Sequence, residues 1–384
     1  MICCFVSKVT AVTDVYLQTP SSKRRARSFG IPFGGVPGPF NAITDVPGVA
    51  VGYTTLISGD GPLVVGQGPV RTGVTAILPR PVEELATPVF AGMFSQNGDG
   101  ELTGSHLIEE LGAFNFPVTI TNTHSCGVTR DGTLRWMQKR MPGALEGAWA
   151  LPVAGETYDG FLNDINGHHV QFEHVYAALD AATSGPIEEG SVGGGTGMIT
   201  FGFKAGCGTA SRRVVWSGET FTVGAFVQSN FGARRNLTVR GVRAGPDLTE
   251  PAIREGTPRA EKSSIIAVIA TDAPFMAHQM KRLAKRAPLG VALTGGYGYT
   301  SSGDIYLAFT TANAQARGAA GRLVEARYIP DSDIDPFFDA VVQSVEEAIL
   351  NALVANEDMT GRDGNFVPAL PHEWLAKRFE AEKA

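Results

Sequence analysis

The run Ser264-Ile265-Ile266-Ala267-Val268-Ile269-Ala270 constrains this chain more than any other stretch. It is apolar without alternation, rich in β-branched residues and shorter than an ordinary helix, so it predicts a strand covered on both faces. Such a strand needs packed layers on either side of its sheet. Immediately upstream the character reverses. Residues 232–262, GARRNLTVRGVRAGPDLTEPAIREGTPRAEK, carry many arginines, three prolines and few large apolar side chains. So long a polar connection is uncommon within a compact domain and tends to be functional or unstructured. The junction therefore predicts a solvent-reachable loop that stops abruptly at a rigid interior strand.

Elsewhere, short β-type runs bounded by Gly or Pro occur at 49–56, 73–78, 117–121 and 214–227. The last holds Ser217-Gly218, a hairpin signal between two strand-like halves. Helices are predicted over 102–111, with Thr103 as its cap, and over 170–182. Asp272-Ala273-Pro274 should open another, with Met276, Met280, Leu283 and Ala287 inward and Lys281, Arg282, Lys285 and Arg286 on a solvated face. Residues 302–309 read as a turn into a strand. A long helix follows over 335–355, with Phe338, Val341, Val342, Val345, Ile349 and Leu353 inward. Strands interspersed with helices imply sheet layers covered by helices.

Glycine supplies 47 of 384 residues, without period, which excludes collagen and predicts many tight turns and close backbone approaches. A formal charge of −6 offers no basic surface for nucleic acid. Cys3, Cys4, Cys126 and Cys207 are too scattered for a disulfide framework or zinc site. No apolar run approaches the length of a membrane span. Ser22–Phe29 (SKRRARSF) faintly resembles a twin-arginine signal, but the following GIPFGGVPGPFNAI is broken by prolines and glycines. Residues 1–26 thus read as a loose extension, and the cytoplasm is the default location.

Among candidate chemistries, the Gly-rich 190–208 contains neither GxxxxGK[ST] nor a complete GxGxxG, and reads as a tight backbone passage lining a pocket. His168, His169 and His174 lack metal-ligand spacing, while His106 and His124 stand isolated. No GxSxG elbow occurs. Cys126 reads as a small buried hydrophobe. Ser264 is different because of its setting. A serine hydroxyl needs a nearby base, and a chain cut just before Ser264 would provide one in the new α-amine. An unperturbed pKa of about 7.7–8.0 suits that amine to proton transfer in both directions. The adjacent Ser263 qualifies equally on these grounds.

Several motifs now point one way: NAITDVPGVAVGYTTL (41–56), NGDGELTGSH (97–106), TNTHSCGVTRDG (121–132), GETYDGFLNDI (155–165), EGSVGGGTGM (189–198), SIIAVIATDAPF (264–275), SSGDIYLAFTTAN (301–313) and MTGRDGNFVPALP (359–371). With these the chain resembles, from about Arg27 to about Phe379, the self-processing L-aminopeptidase/D-amino-acid esterase-amidases and β-peptidyl aminopeptidases. The resemblance implies an α+β fold, a four-layer αββα sandwich like that of N-terminal-nucleophile hydrolases but differently connected. It implies one catalytic domain over 27–384, cut between Ser263 and Ser264 into 1–263 and 264–384. It also implies a homo-oligomer, such as a homotetramer of processed pairs, working without a cofactor or metal.

The same resemblance selects Ser264 as nucleophile, since the family's serine directly precedes Ile-Ile. Ser263 departs from the Gly or Asn usual before the cut, which bears on the rate of self-cleavage. Ser302 would hydrogen-bond near Ser264 and assist proton movement, and Asp304 would orient the amino group. Asn230 would donate to the oxyanion, with Tyr158 as a further donor. Glu156 would bind the substrate's free amine. The expected partners are small peptides, amides or esters, not nucleic acid or membrane. Two alternatives differ: an acyltransferase of the ornithine acetyltransferase type, which uses threonine where this chain has serine, and a non-catalytic small-molecule-binding protein built around 193–197.

Overall fold

Two β-sheets carry the fold, and the apolar residues trapped between them set their stacking. The computed structural model describes residues 15–146, 149–256, 263–314, 321 and 323–380. In chain order, β1 (Ala50–Ser58), β2 (Val70–Leu78), β3 (Val89–Ser95), α1 (Ser105–Leu111) and β4 (Ala113–Phe114) come first. Next are β5 (Val118–Asn122), α2 (Cys126–Arg140), β6 (Val153–Thr157) and α3 (Phe172–Asp180). Two-residue strands β7 (Ile199–Thr200) and β8 (Phe203–Lys204) lead into the long hairpin of β9 (Cys207–Trp216) and β10 (Glu219–Asn230). A small ladder, β11 (Thr238–Val239) with β12 (Val242–Arg243), precedes β13 (Ser263–Thr271). The chain continues through α4 (Ala277–Ala284), α5 (Ala287–Leu293), β14 (Ser302–Thr310) and α6 (Asp335–Val354).

One sheet has the order β1-β2-β5-β6, the other β4-β3-β14-β13-β10-β9. Between them, Ile77, Val118 and Ile120 meet Phe226, Ile266, Val268 and Leu307. On the outer face of the larger sheet, Met280, Val291, Val345 and Ile349 pack with Ile265, Ala267 and Ile269. Trp136, Met137, Val175 and Leu179 likewise cover Val74 and Ala76 of the smaller sheet. The layers are helix, sheet, sheet, helix: the αββα sandwich. The unbroken apolar run at 265–270 follows directly, because β13 is interior, antiparallel to β10 and parallel to β14. At the β9–β10 turn both Ser217 and Gly218 have positive φ, the requirement of a type I′ hairpin.

Some expectations need correction. Residues 15–26 are not loose. Arg25 is buried, pairs with Glu189 and donates to the carbonyls of Asn41 and Thr209, so its fork is fully engaged. Arg27 pairs with Glu347 and Arg24 lies over the ring of Phe29, which turns the twin-arginine-like segment into structural pins. Residues 1–14 lie outside the described residues. Thr103 does not cap a helix. Its hydroxyl donates to Pro152 O, because Leu102 bridges to Gly155 at the sheet edge and the helix begins only at Ser105. Asp272 accepts from Thr222 N across the sheet, and the helix starts later, at Ala277. The 190–208 stretch threads mainly between the sheets. A Cβ on Gly194 would lie 2.6 Å from Ile120 O, although Gly202 does border a cavity.

Helix α6 approaches β9 so closely that glycine is required there. A Cβ on Gly208 would sit 2.0 Å from Ala348 O and 2.7 Å from Ala352 N, both helix backbone. Gly208→Ala must therefore displace the helix, and overpacking of this kind costs about 1–3 kcal/mol or more. A fall in Tm of about 1–4 °C is expected by thermal denaturation. An unchanged Tm would mean that α6 is not held against β9 as described.

Candidate active site

β13 begins at the serine pair, and its neighbours bring the other candidates to it. In the antiparallel register Asn230 lies opposite Ser264, at the end of β10. Directly opposed residues share a face, so the Asn230 and Ser264 side chains lie on the same side of the sheet. In the parallel register Ser302 lies beside Ser263 and Gly303 beside Ser264. Side chains alternate along a strand. Ser302 and Asp304 therefore share the face of Ser263, opposite the Ser264 hydroxyl. Ser302 thus meets Ser263 and not the Ser264 hydroxyl. Ser302 Oγ donates to Asp304 Oδ1 at 2.5 Å and lies 3.2 Å from Ser263 Oγ. Burial raises the Asp304 carboxyl above its ordinary range, and hydrogen bonds from Ser302 and Asn97 oppose that rise.

The Ser264 hydroxyl is buried and has no hydrogen-bond partner among the described residues. The residue itself borders a cavity of about 330 Å³ together with Glu156, Tyr158, Thr123, Glu101 and Asp99. Glu156 stands near the end of β6. Its Oε1 accepts from Glu101 N at 2.8 Å and its Oε2 from the Thr123 hydroxyl. Burial raises its pKa above the usual carboxylate value. The Thr123 and Glu101 hydrogen bonds lower it, and the charges of Glu101 and Asp99 raise it further. Asn230 Nδ2 donates to Tyr158 O at 2.9 Å while its Oδ1 accepts from Ile199 N. The amide is thereby fixed in orientation, with one of its two N–H bonds uncommitted. The Tyr158 ring folds against Gly160, where a Cβ would come within 2.4 Å of the phenol oxygen.

Thr123, Glu101, Asp99 and Asn97 were missed as site residues, although they lie in motifs quoted above. Their signal was glycine: Gly100 and Gly303 let the two backbones touch, since a Cβ on Gly303 would lie 2.4 Å from Asp99 O. That contact delivers Glu101 N to Glu156. Cys126 is buried beside Ala154 O, and burial pushes its thiol up to about 12, which makes it no nucleophile. His124 borders the cavity, whereas His169 pairs with Asp164. No group of three or more His, Cys, Asp or Glu able to hold a metal ion occurs among the described residues.

Residues 41–367 match the model of peptidase family S58. The chain belongs to peptidase family S58. Its S58 relatives include the β-peptidyl aminopeptidase BapA of Sphingosinicella microcystinivorans, 50% identical over 363 residues that span 91% of this chain and 90% of the relative. BapA of Sphingosinicella xenopeptidilytica is 45% identical, covering 93% and 91%. The structure of the L-aminopeptidase D-Ala-esterase/amidase of Ochrobactrum anthropi, a variant of the Ntn hydrolase fold, superposes with a TM-score of 0.86 at 46% identity. It covers 93% of this chain and 99% of that one. As an S58 peptidase the chain is a hydrolase of the N-terminal-nucleophile aminopeptidase type.

Proposed function

We propose that the chain cuts itself between Ser263 and Ser264 and then uses Ser264 to remove amino-terminal residues from small peptides, amides or esters. The observation that carries this reading is Ser264, at the head of an interior strand, with a hydroxyl that has no hydrogen-bond partner among the described residues, bordering a cavity that holds a buried carboxylate. In self-cleavage, Ser264 Oγ attacks the carbonyl carbon of Ser263, the C–N bond breaks as its nitrogen gains a proton, and an ester links the two residues. Water hydrolyses the ester, leaving a carboxylate on Ser263 and a free amine on Ser264. In turnover that amine takes the proton of Oγ as the hydroxyl attacks the substrate carbonyl, and returns a proton to the leaving amine. Water then hydrolyses the ester on Ser264, freeing the residue and restoring the hydroxyl. Ser302 and Asp304 hold and relay protons on the amine's side of the strand. Asn230, with Tyr158, donates to the oxyanion. This assignment favours hydrolysis over acyl transfer or simple binding. The cytoplasmic location, the absence of a cofactor, homo-oligomeric assembly and a single catalytic unit that includes the pinned residues 15–26 belong to the same proposal.

Glu156 would receive the substrate's ammonium through a charge-assisted hydrogen bond. Only the ionised carboxylate can do so, and its pKa is raised. As pH falls through that raised value the carboxylate gains a proton and amine binding is lost. The acid limb of kcat/KM should therefore lie above the ordinary glutamate value of about 4.3. Glu156→Gln should raise KM by at least about tenfold and remove that limb, as read from pH–rate profiles on aminoacyl p-nitroanilides. An unchanged KM and an unchanged limb would remove Glu156 from the role.

A further inference from the structure

The cleft continues beyond the nucleophile, and its charge changes along the way. A second cavity, of about 960 Å³, adjoins the first: Asp99, Ser263 and Ser301 border both. The small cavity is lined by three carboxylates among the described residues, Glu156, Glu101 and Asp99. The large one adds two arginines, Arg234 and Arg235, with Tyr299 beside them and Glu255 as its further carboxylate.

The two arginines differ in how they are used. Arg234 donates to the carbonyls of Leu248, Thr249, Pro251 and Gly202 and lies 3.9 Å over the ring of Phe203, so it is committed to holding the loop. Arg235 is exposed, and its hydrogen bond is a long one of 3.5 Å from Nη2 to the Tyr299 phenol oxygen. That oxygen is already held by Asn236 Nδ2 at 2.8 Å. No carboxylate among the described residues pairs with Arg235, and its planar fork is left able to grip a carboxylate at two points.

The geometry points to Arg235, backed by Tyr299, as the subsite for the free carboxylate of the leaving amino acid, so that the enzyme favours short zwitterionic peptides with an unblocked C-terminus. This rests on the aminopeptidase reading above and extends it to the other end of the substrate. An ammonium would sit among carboxylates on one side of Ser264 and a carboxylate would meet a guanidinium on the other. Peptide amides and p-nitroanilides lack the second contact. A longer peptide would place its carboxylate beyond the arginine.

The test joins the best-accepted aminoacyl group to leucine, to leucinamide and to p-nitroaniline, and compares kcat/KM. The free acid should exceed the amide by about tenfold in the native enzyme. That preference should arise mainly in KM and shrink as salt rises. Arg235→Met should abolish the acid-over-amide ratio, and Arg235→Lys should restore part of it, since lysine keeps the charge without the fork. Equal rates for acid and amide in the native enzyme, or an unaltered ratio in Arg235→Met, would overturn the subsite while p-nitroanilide turnover keeps the aminopeptidase reading intact. Failure to hydrolyse any of the three would overturn both.

Discussion

Ser264→Ala is expected to yield one uncut polypeptide of 40.5 kDa on a denaturing gel and no measurable hydrolysis of aminoacyl p-nitroanilides. The native chain should give two fragments meeting at that bond. Losing a covalent nucleophile costs at least about 10⁴-fold in kcat, because what remains is binding and oxyanion stabilisation alone. The substitution should leave the fold untouched. Among the described residues the hydroxyl makes no hydrogen bond, so no partner is orphaned, and a single atom is lost beside a cavity. An inactive, uncut variant with native Tm separates chemistry from folding. Two fragments, or residual turnover near the native rate, would overturn the assignment.

Asn230→Ala should lower kcat by about 10²–10³-fold with little change in KM, the signature of a contact made only at the transition state. The ordering of the amide supports this size of effect. Ile199 N fixes the oxygen end, so Nδ2 is presented without a search for orientation, opposite the nucleophile in the ladder. Removing the side chain also orphans Ile199 N and Tyr158 O. Asn230→Asp, which keeps the shape and loses the donor, therefore makes the sharper comparison. Steady-state kinetics on processed protein decide it, and a loss below about tenfold for both variants would exclude the amide from stabilising the intermediate.

Much of this was legible in the sequence because periodicity reports burial. The unbroken apolar run of β13 declared a two-faced interior strand, and Ser217-Gly218 declared a hairpin. The long α6 was anticipated within one residue of its end, although Val342 is only half-buried. What composition hides is charge placed inside. Glu346 and Glu347 are buried within that helix because Arg240, Arg27 and Arg212 come to meet them from distant parts of the chain. Lys204 is fully buried with two backbone carbonyls as acceptors, and burial lowers its pKa to about 7. No local pattern announces partners that tertiary folding supplies. The site was legible in the same partial way. The family resemblance pointed to Ser264, Glu156 and Asn230, but which face each side chain takes depended on register. That is why Ser302 turned out to stand beside Ser263.

The seating of β13 between β10 and β14 has a consequence for handling the enzyme. If the chain is cut as proposed, folding before the break is an event within one molecule. After it, the shorter polypeptide would contribute the two central strands, β14 and β13, of a six-stranded ladder whose flanking strands on both sides belong to the longer one. Recovery from thermal or denaturant damage then becomes a second-order encounter, slower with every dilution. Mature material should lose its activity for good under conditions from which the uncut precursor returns.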